Sequence, residues 1–573
     1  MALGRYPATV GRMLRERRDA FGDRLAYRER LRCPEYESLT YAELYDRAAR
    51  VGSALLRLGL RKGDRVASLS RNRAELLILE LATMSVGGVV VPIFADYPAS
   101  QLEFIFEHCG ARWLVVSDPT RLAEALGARS SERLERIFVM DFDARAAQAE
   151  PERVLPFDRL LARRKEPQFE RRLASVQAAD PCLLMYTSGT TGKPKGVLLC
   201  HRNILSQRKG IGLLWDLRPE DRFLSYLPWH HSFGGIFELF GALYSGASLT
   251  LDESYGKDLS LLIENFKRVQ PTVYFSVPRI YQALVAEAQA SSRVEREIFH
   301  PRLRFVFTAA AALPPSVSRY FEAKGIPVVE GWGLTETSPC VTVTPVSGAR
   351  VPGVVGRPLP GVRVKLAEDG EILVQGPNVM LGYFRDAKRT SRAVDPMGWF
   401  HTGDFGELGE GGLVLKGRMD GLFKLISGQM VVSQEVESAL VSSPLISFAA
   451  VYGSGEDFVG AVIFPSVKEV SRAARARGIE APAQAPELLR HPRVRELLKH
   501  EIKRACSSIG AKYQRPKAFV VAREEPSLRN GEITPTLKIV KPKVAQDYEA
   551  QFRAMFKPEE ADPRAREEVI RLI

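Results

Sequence analysis

The stretch Tyr186-Thr-Ser-Gly-Thr-Thr-Gly-Lys-Pro-Lys-Gly196 sets Thr and Ser hydroxyls, three glycines and two lysines directly after the apolar run Cys182-Leu-Leu-Met185. Glycines let a backbone turn sharply and bring its N–H groups close to a ligand. Hydroxyls donate to phosphate oxygens, and lysines neutralise them. A strand running into such a loop is suited to a polyphosphate. It is not a Walker A loop, which has four residues between its glycines followed by Gly-Lys-Ser/Thr. Here two residues separate Gly189 from Gly192, and Pro194 follows Lys193. Three further constellations lie downstream: Glu330-Gly-Trp-Gly-Leu-Thr-Glu-Thr337, Trp399-Phe-His-Thr-Gly-Asp404 with Gly417-Arg418 beyond it, and Asn530-Gly-Glu-Ile-Thr-Pro-Thr-Leu-Lys538. Each alone is weak, since Thr-Gly-Asp is a common turn sequence and a lone lysine is usually solvated.

The elements that must carry these residues alternate. Apolar positions at helical spacing follow Thr40, an N-cap residue type, and Val66–Leu69 reads as a strand. A helix over 74–84 and strands at 89–93 and 113–116 continue the alternation, which predicts an α/β fold with mostly parallel sheets. The pattern resumes over 181–340, with buried strands at 273–276, 304–307 and 327–330. From about 351 the chain becomes Gly-rich with short strands (362–366, 371–374, 413–416), reading as a small antiparallel unit. Gly417–Gly421 reads as a linker to a smaller α/β unit, and 558–573 as a charged helical extension.

The 573 residues are enough for several cores, and 45% hydrophobic with 26% charged residues fits a soluble globular protein. Six cysteines (33, 109, 182, 200, 340, 506) form no CxxC or Cys/His cluster, which argues for reduced thiols in a cytoplasmic compartment and against zinc. Residues 1–18 hold no apolar run of the secretory kind. Glu80, Gly87-Gly88 and Pro92 interrupt the most apolar segment, 76–92, so it predicts a buried helix, turn and strand rather than a membrane span. A net charge of +13 attracts polyanions, but no nucleic-acid signature accompanies it. Solvated surface charge, steering of polyanionic small molecules, and peripheral contact with the inner face of a membrane are the readings it leaves.

In this order the four motifs resemble those of the adenylate-forming superfamily (acyl-CoA synthetases, coumarate ligases, luciferases, peptide-synthetase adenylation domains) over about residues 38–545. Thr534-Pro-Thr-Leu-Lys538 and Pro271–Tyr281 are most similar to long-chain fatty acyl-CoA synthetases. The resemblance implies a large N-terminal domain (1–418) with a β-rich subdomain (about 345–418), a hinge (419–421), a small mobile α+β domain (422–550) and a charged tail (551–573). It also implies ATP with Mg²⁺ as cofactors and CoA as co-substrate. Thr187, Ser188, Gly189, Thr190, Thr191, Gly192, Lys193 and Lys195 would hold the phosphates; Ala310, Ala311, Gly331, Trp332 and Gly333 would line the base. Thr335 would donate to the α-phosphate, Glu336 would ligate Mg²⁺, and Asp404 with Arg418 would hold the ribose. Lys538 would be the catalytic lysine, His231 would shape the acyl pocket, Asp420 would be the hinge and Gly428 would lie on the CoA tunnel.

The chain departs from the pattern at Thr308-Ala-Ala-Ala-Ala-Leu313, where glycines are usual, at Trp332 in place of tyrosine, and at Met419 and Gly421 beside the hinge. The first reading is therefore an acyl-CoA synthetase acting on a medium- or long-chain fatty acid. The second is an acyl-adenylate ligase that loads a carrier-protein phosphopantetheine. The third is a non-catalytic nucleotide- or acyl-binding member.

Overall fold

The computed structural model describes residues 3–572 except 147, 149, 163, 188–193, 310–312, 348–350, 352, 481–484, 508, 523, 528 and 535–537. Two large sheets form the N-terminal part. The first has nine strands, and its centre (Leu25–Glu29, Ser248–Leu251, Arg222–Ser225, Val273–Ser276, Phe305–Thr308, Val328–Gly333) is parallel with antiparallel edges. The second has eight strands, parallel from Val89–Ile93 outward, with Pro181–Thr187 and Lys195–Cys200 added as an antiparallel hairpin. Central strands such as Phe305–Thr308 and Val89–Ile93 are buried at every position, because both sheet faces are covered.

The helix Ala74–Ser85 is buried from Glu75 onward. It has no side-chain cap of its own. Instead Glu29 Oε2 accepts the N–H of Ala74 at 3.0 Å. The helix Tyr41–Arg57 carries the full capping box between Thr40 and Glu43. A four-stranded antiparallel sheet (Arg363–Leu366, Glu371–Gln375, Phe400–Gly409, Gly412–Arg418) follows, and it places Asp404 directly opposite Arg418. The strand therefore runs through Gly417-Arg418, and only Met419–Gly421 forms a turn of 3₁₀ helix where the sequence read a longer linker.

Beyond this turn lie a two-stranded hairpin (Leu422–Lys424, Met430–Val432) and a smaller α+β unit built on the sheet Ile446–Tyr452, Gly460–Pro465, Ala518–Val521 and Val569–Arg571. The chain end is helical over Pro558–Glu560 and Pro563–Glu568, as the sequence predicts, but it closes on a strand and packs on the domain rather than extending from it. Met555, Ala561 and Ala565 are buried, and Val569–Arg571 pairs antiparallel with Ala518–Val521. Small and apolar residues at those positions seat the segment on the sheet despite its charge. No helix among the described residues is long and apolar enough to cross a membrane.

Candidate active site

The hairpin Pro181–Thr187/Lys195–Cys200 sets Thr187 opposite Lys195. Ser188, Gly189, Thr190, Thr191, Gly192 and Lys193 lie outside the described residues, as do Ala310 and Ala311. Tyr186, at the start of the loop, shares a 2.7 Å hydrogen bond with His108 Nδ1. The Thr187 hydroxyl is buried with no partner among the described residues, a donor left over for a ligand.

Lys195 turns toward Glu336. Its Nζ lies 2.6 Å from Oε1, and the Tyr383 hydroxyl donates to the same oxygen at 2.9 Å. Glu336 is only 3% exposed. Burial pushes its carboxyl up, but the Lys195 charge and hydrogen bond and the Tyr383 hydroxyl outweigh that and hold it below the usual carboxylate range. Tyr383 reaches this position because Gly382–Tyr383 pairs antiparallel with Lys195–Cys200, a contact between residues 188 apart in sequence. Sequence reasoning missed Tyr383, since a Gly-Tyr pair far from every motif carries no signal of that pairing. Lys195 and Tyr383 also wall a cavity of about 340 Å³ together with His108, Phe384 and Arg389. No group of three or more metal-ligating side chains occurs among the described residues. One hard carboxylate oxygen fits a Mg²⁺ that arrives on a nucleotide and takes its other ligands from phosphates and water.

Strand Val328–Gly333 delivers the second cluster. Gly333 permits a close approach: a Cβ there would stand 1.8 Å from the Pro339 carbonyl oxygen. Gly331 is packed against Phe307 in the same way. Between them Trp332 is 7% exposed, its ring among Val341, Ile372, Val374 and Leu413, and its indole N–H donates to Asp404 Oδ2 at 2.8 Å. Arg418 donates to Oδ1 of the same carboxylate at 2.8 Å and reaches Asp420 at 3.4 Å. Burial raises the Asp404 pKa, opposed by Arg418 and by the Trp332 hydrogen bond.

The remaining groups converge from elsewhere. The Thr335 hydroxyl lies 3.1 Å from Ser232 Oγ, a neighbour the motifs did not reveal. His231 accepts the N–H of Phe233 on Nδ1 at 3.2 Å, and burial, with the nearby Lys538 charge, pushes its pKa down to about 4. The turn of π-helix that follows, Phe233–Glu238, depends on Gly235, whose Cβ would stand 1.9 Å from the Trp229 carbonyl oxygen. Behind it Phe233, Phe237 and Phe307 form an apolar layer, with Phe237 and Phe307 stacked at 4.6 Å. His230 instead packs on Phe94 at 4.7 Å.

Lys538 sits in a loop closed by the Ile533–Ile539 bridge and by its own N–H donating to Thr534 Oγ1. Its side chain remains accessible but stands in a crowded cleft. Desolvation lowers its pKa and Arg418 adds to this, while Asp404, Glu336 and Asp420 pull the other way. Gly428 lies apart, at φ +80° in the turn of the hairpin Leu422–Lys424/Met430–Val432. The structure thus brings Lys195, His231, Thr335, Glu336, Asp404, Arg418 and Lys538 around one cleft. Cations, a metal-competent carboxylate and a diol-competent carboxylate in one place suit an attack between two anions.

The AMP-binding enzyme family matches residues 14–384, the greater part of the chain. This protein belongs to that family. The long-chain-fatty-acid–CoA ligase FadD15 of Mycobacterium tuberculosis is 27% identical over 91% of this chain and 93% of its own. Among solved structures, the anthranilate CoA ligase AuaEII with anthranoyl-AMP has a TM-score of 0.75 at 23% identity, covering 96% of this chain and 99% of that one. ATP-bound MatB from Rhodopseudomonas palustris has a TM-score of 0.68 at 25% identity, covering 94% and 99%. Family membership establishes the adenylate-forming class and the α/β architecture with its smaller α+β C-terminal part.

Proposed function

We propose that the protein is an ATP-dependent acyl-CoA synthetase that activates a medium- or long-chain fatty acid through an acyl-adenylate. The observation that carries this reading is the convergence of Lys195, Glu336, Asp404, Arg418 and Lys538 from separate segments on one cleft. In the first half-reaction a carboxylate oxygen of the fatty acid attacks the α-phosphorus of ATP, and the bond to the bridging oxygen breaks to release pyrophosphate. Lys538 stands between the two anions, Thr335 donates to the α-phosphate, and Asp404 accepts from the ribose hydroxyls. Glu336 would hold Mg²⁺, which when bound would supply charge neutralisation for the leaving pyrophosphate. Lys195 then exchanges its ion pair with Glu336 for the phosphates, and the Tyr383 hydroxyl keeps the carboxylate oriented meanwhile.

In the second half-reaction the CoA thiol attacks the acyl carbon, AMP leaves, and the thiol proton passes to solvent. The part beyond 419–421 turns about Asp420, which carries Lys538 out and brings the hairpin at Gly428 in. Exposed Ile426 and Met430 on that hairpin, 72% and 41% accessible, are consistent with a surface that is covered in only one of two arrangements. His231, uncharged near neutral pH, and the phenylalanines behind it suit an apolar acyl chain. Likeness to the long-chain ligase supports the substrate class and CoA as acceptor.

The test is single-turnover formation of the adenylate from palmitate and Mg²⁺-ATP, followed by addition of either CoA or a phosphopantetheinylated carrier protein. Rapid palmitoyl-CoA formation supports the reading. Transfer to the carrier alone would favour the ligase alternative, and bound ATP with no adenylate would favour a non-catalytic member.

A further inference from the structure

Asp404 is 8% exposed and has one donor on each carboxylate oxygen, both at 2.8 Å: the Trp332 indole on Oδ2 and Arg418 on Oδ1. The two donors differ in kind. Packing holds Trp332, whose ring lies in a buried apolar cluster and whose backbone pairs with Thr342 on the neighbouring strand. Arg418 is the last residue of its strand; its side chain is 43% exposed and also reaches Asp420. A guanidinium facing a carboxylate favours the two-pronged geometry in which its fork takes both oxygens. An indole has a single N–H and claims one oxygen only.

We propose that Trp332 is a positioning residue for the nucleotide sugar. Its N–H holds Oδ2 away from the Arg418 fork, so each oxygen of Asp404 keeps a lone pair for one hydroxyl of a ribose diol. The proposal rests on the ATP-dependent reading above and deepens it: selectivity for an intact diol depends on an indole that orients the carboxylate. Without the N–H, the Arg418 fork closes on both oxygens and the diol competes with an ion pair for the same lone pairs.

The experiment is calorimetric titration of the full-length protein with ATP, 2′-deoxy-ATP and 3′-deoxy-ATP. Wild type should prefer ATP over each deoxy analogue by about tenfold or more, the worth of a hydrogen bond to a charged group. Trp332→Phe keeps an apolar ring and deletes the donor. It should weaken ATP binding about tenfold and shrink the preference to about twofold, with the loss in turnover assays falling more on KM than on kcat. Trp332→His, which retains a ring N–H, should recover part of the preference. A preference unchanged in a folded Trp332→Phe protein overturns the proposal and leaves the ATP-dependent reading standing; wild type that binds no ATP overturns both.

If Trp332→Phe does not fold, wild-type protein with ¹⁵N-labelled indoles serves instead. One of the five tryptophan signals should shift with saturating AMP and not with saturating 2′,3′-dideoxy-AMP. A spectrum that responds equally to both nucleotides, or to neither, overturns the proposal.

Discussion

The proposed chemistry rests on a few charged side chains, and Glu336 is the most exacting of them. Glu336 is 3% exposed and keeps its charge because Lys195 stands 2.6 Å away. Removing one partner of such a pair strands the other, which costs about 3–5 kcal/mol. Lys195→Ala should therefore lose about 3 kcal/mol in urea melts, and Glu336→Gln in that background should restore more than half of it. A double variant no more stable than Lys195→Ala would show that the charge is not what destabilises. Lys538→Ala should slow adenylate formation at least ~100-fold in rapid-quench assays, as loss of a donor to a developing charge does elsewhere. A normal rate would remove Lys538 from the mechanism. The sequence pointed to Lys195, Glu336, Asp404, Arg418 and Lys538 because each sits in a motif. It did not reveal that Lys195 pairs with Glu336, that Tyr383 joins them, or that the Trp332 N–H goes to Asp404, because these contacts arise from strand pairing and packing between distant segments.

Periodicity and punctuation made many elements legible. The helix after Thr40 carries the cap its sequence predicts, and the segment 76–92 folds as the expected buried helix, turn and strand. The π-helical turn Phe233–Glu238 was not legible, because Gly234-Gly235 signals only that something approaches closely. The helix Ala74–Ser85 poses its own problem: Glu80 is 4% exposed, and its Oε1 has no partner among the described residues. Burial pushes its pKa up to about 8. A carboxyl raised in the folded state is protonated there and ionised in the unfolded chain. Its stability contribution is thus complete below the unfolded value and lost as pH rises toward about 8. Glu80→Gln should remove that slope. Between pH 5 and 8, wild type should lose stability relative to the variant by up to roughly 1.4 kcal/mol per pH unit. Parallel stability–pH curves would contradict the burial of an ionisable group at this position.

Across the whole molecule, the +13 charge does not form a free basic face at the N-terminal helix, where Arg15 pairs with Glu170 and Arg17 donates to the Tyr244 carbonyl. The architecture was legible from alternating β and α segments; the closing strand Val569–Arg571 was not, because three residues in a charged context show no period. Lys538 stands in the cleft near Asp404 and Glu336, the place the proposed adenylation step would use. The measurement that tests this account most directly is ATP–pyrophosphate exchange without CoA, across straight-chain carboxylates from acetate to stearate and a set of aromatic acids. The account expects exchange that depends on the acid and is strongest with medium or long chains. Exchange with none of these acids, in protein that still binds ATP, would contradict it.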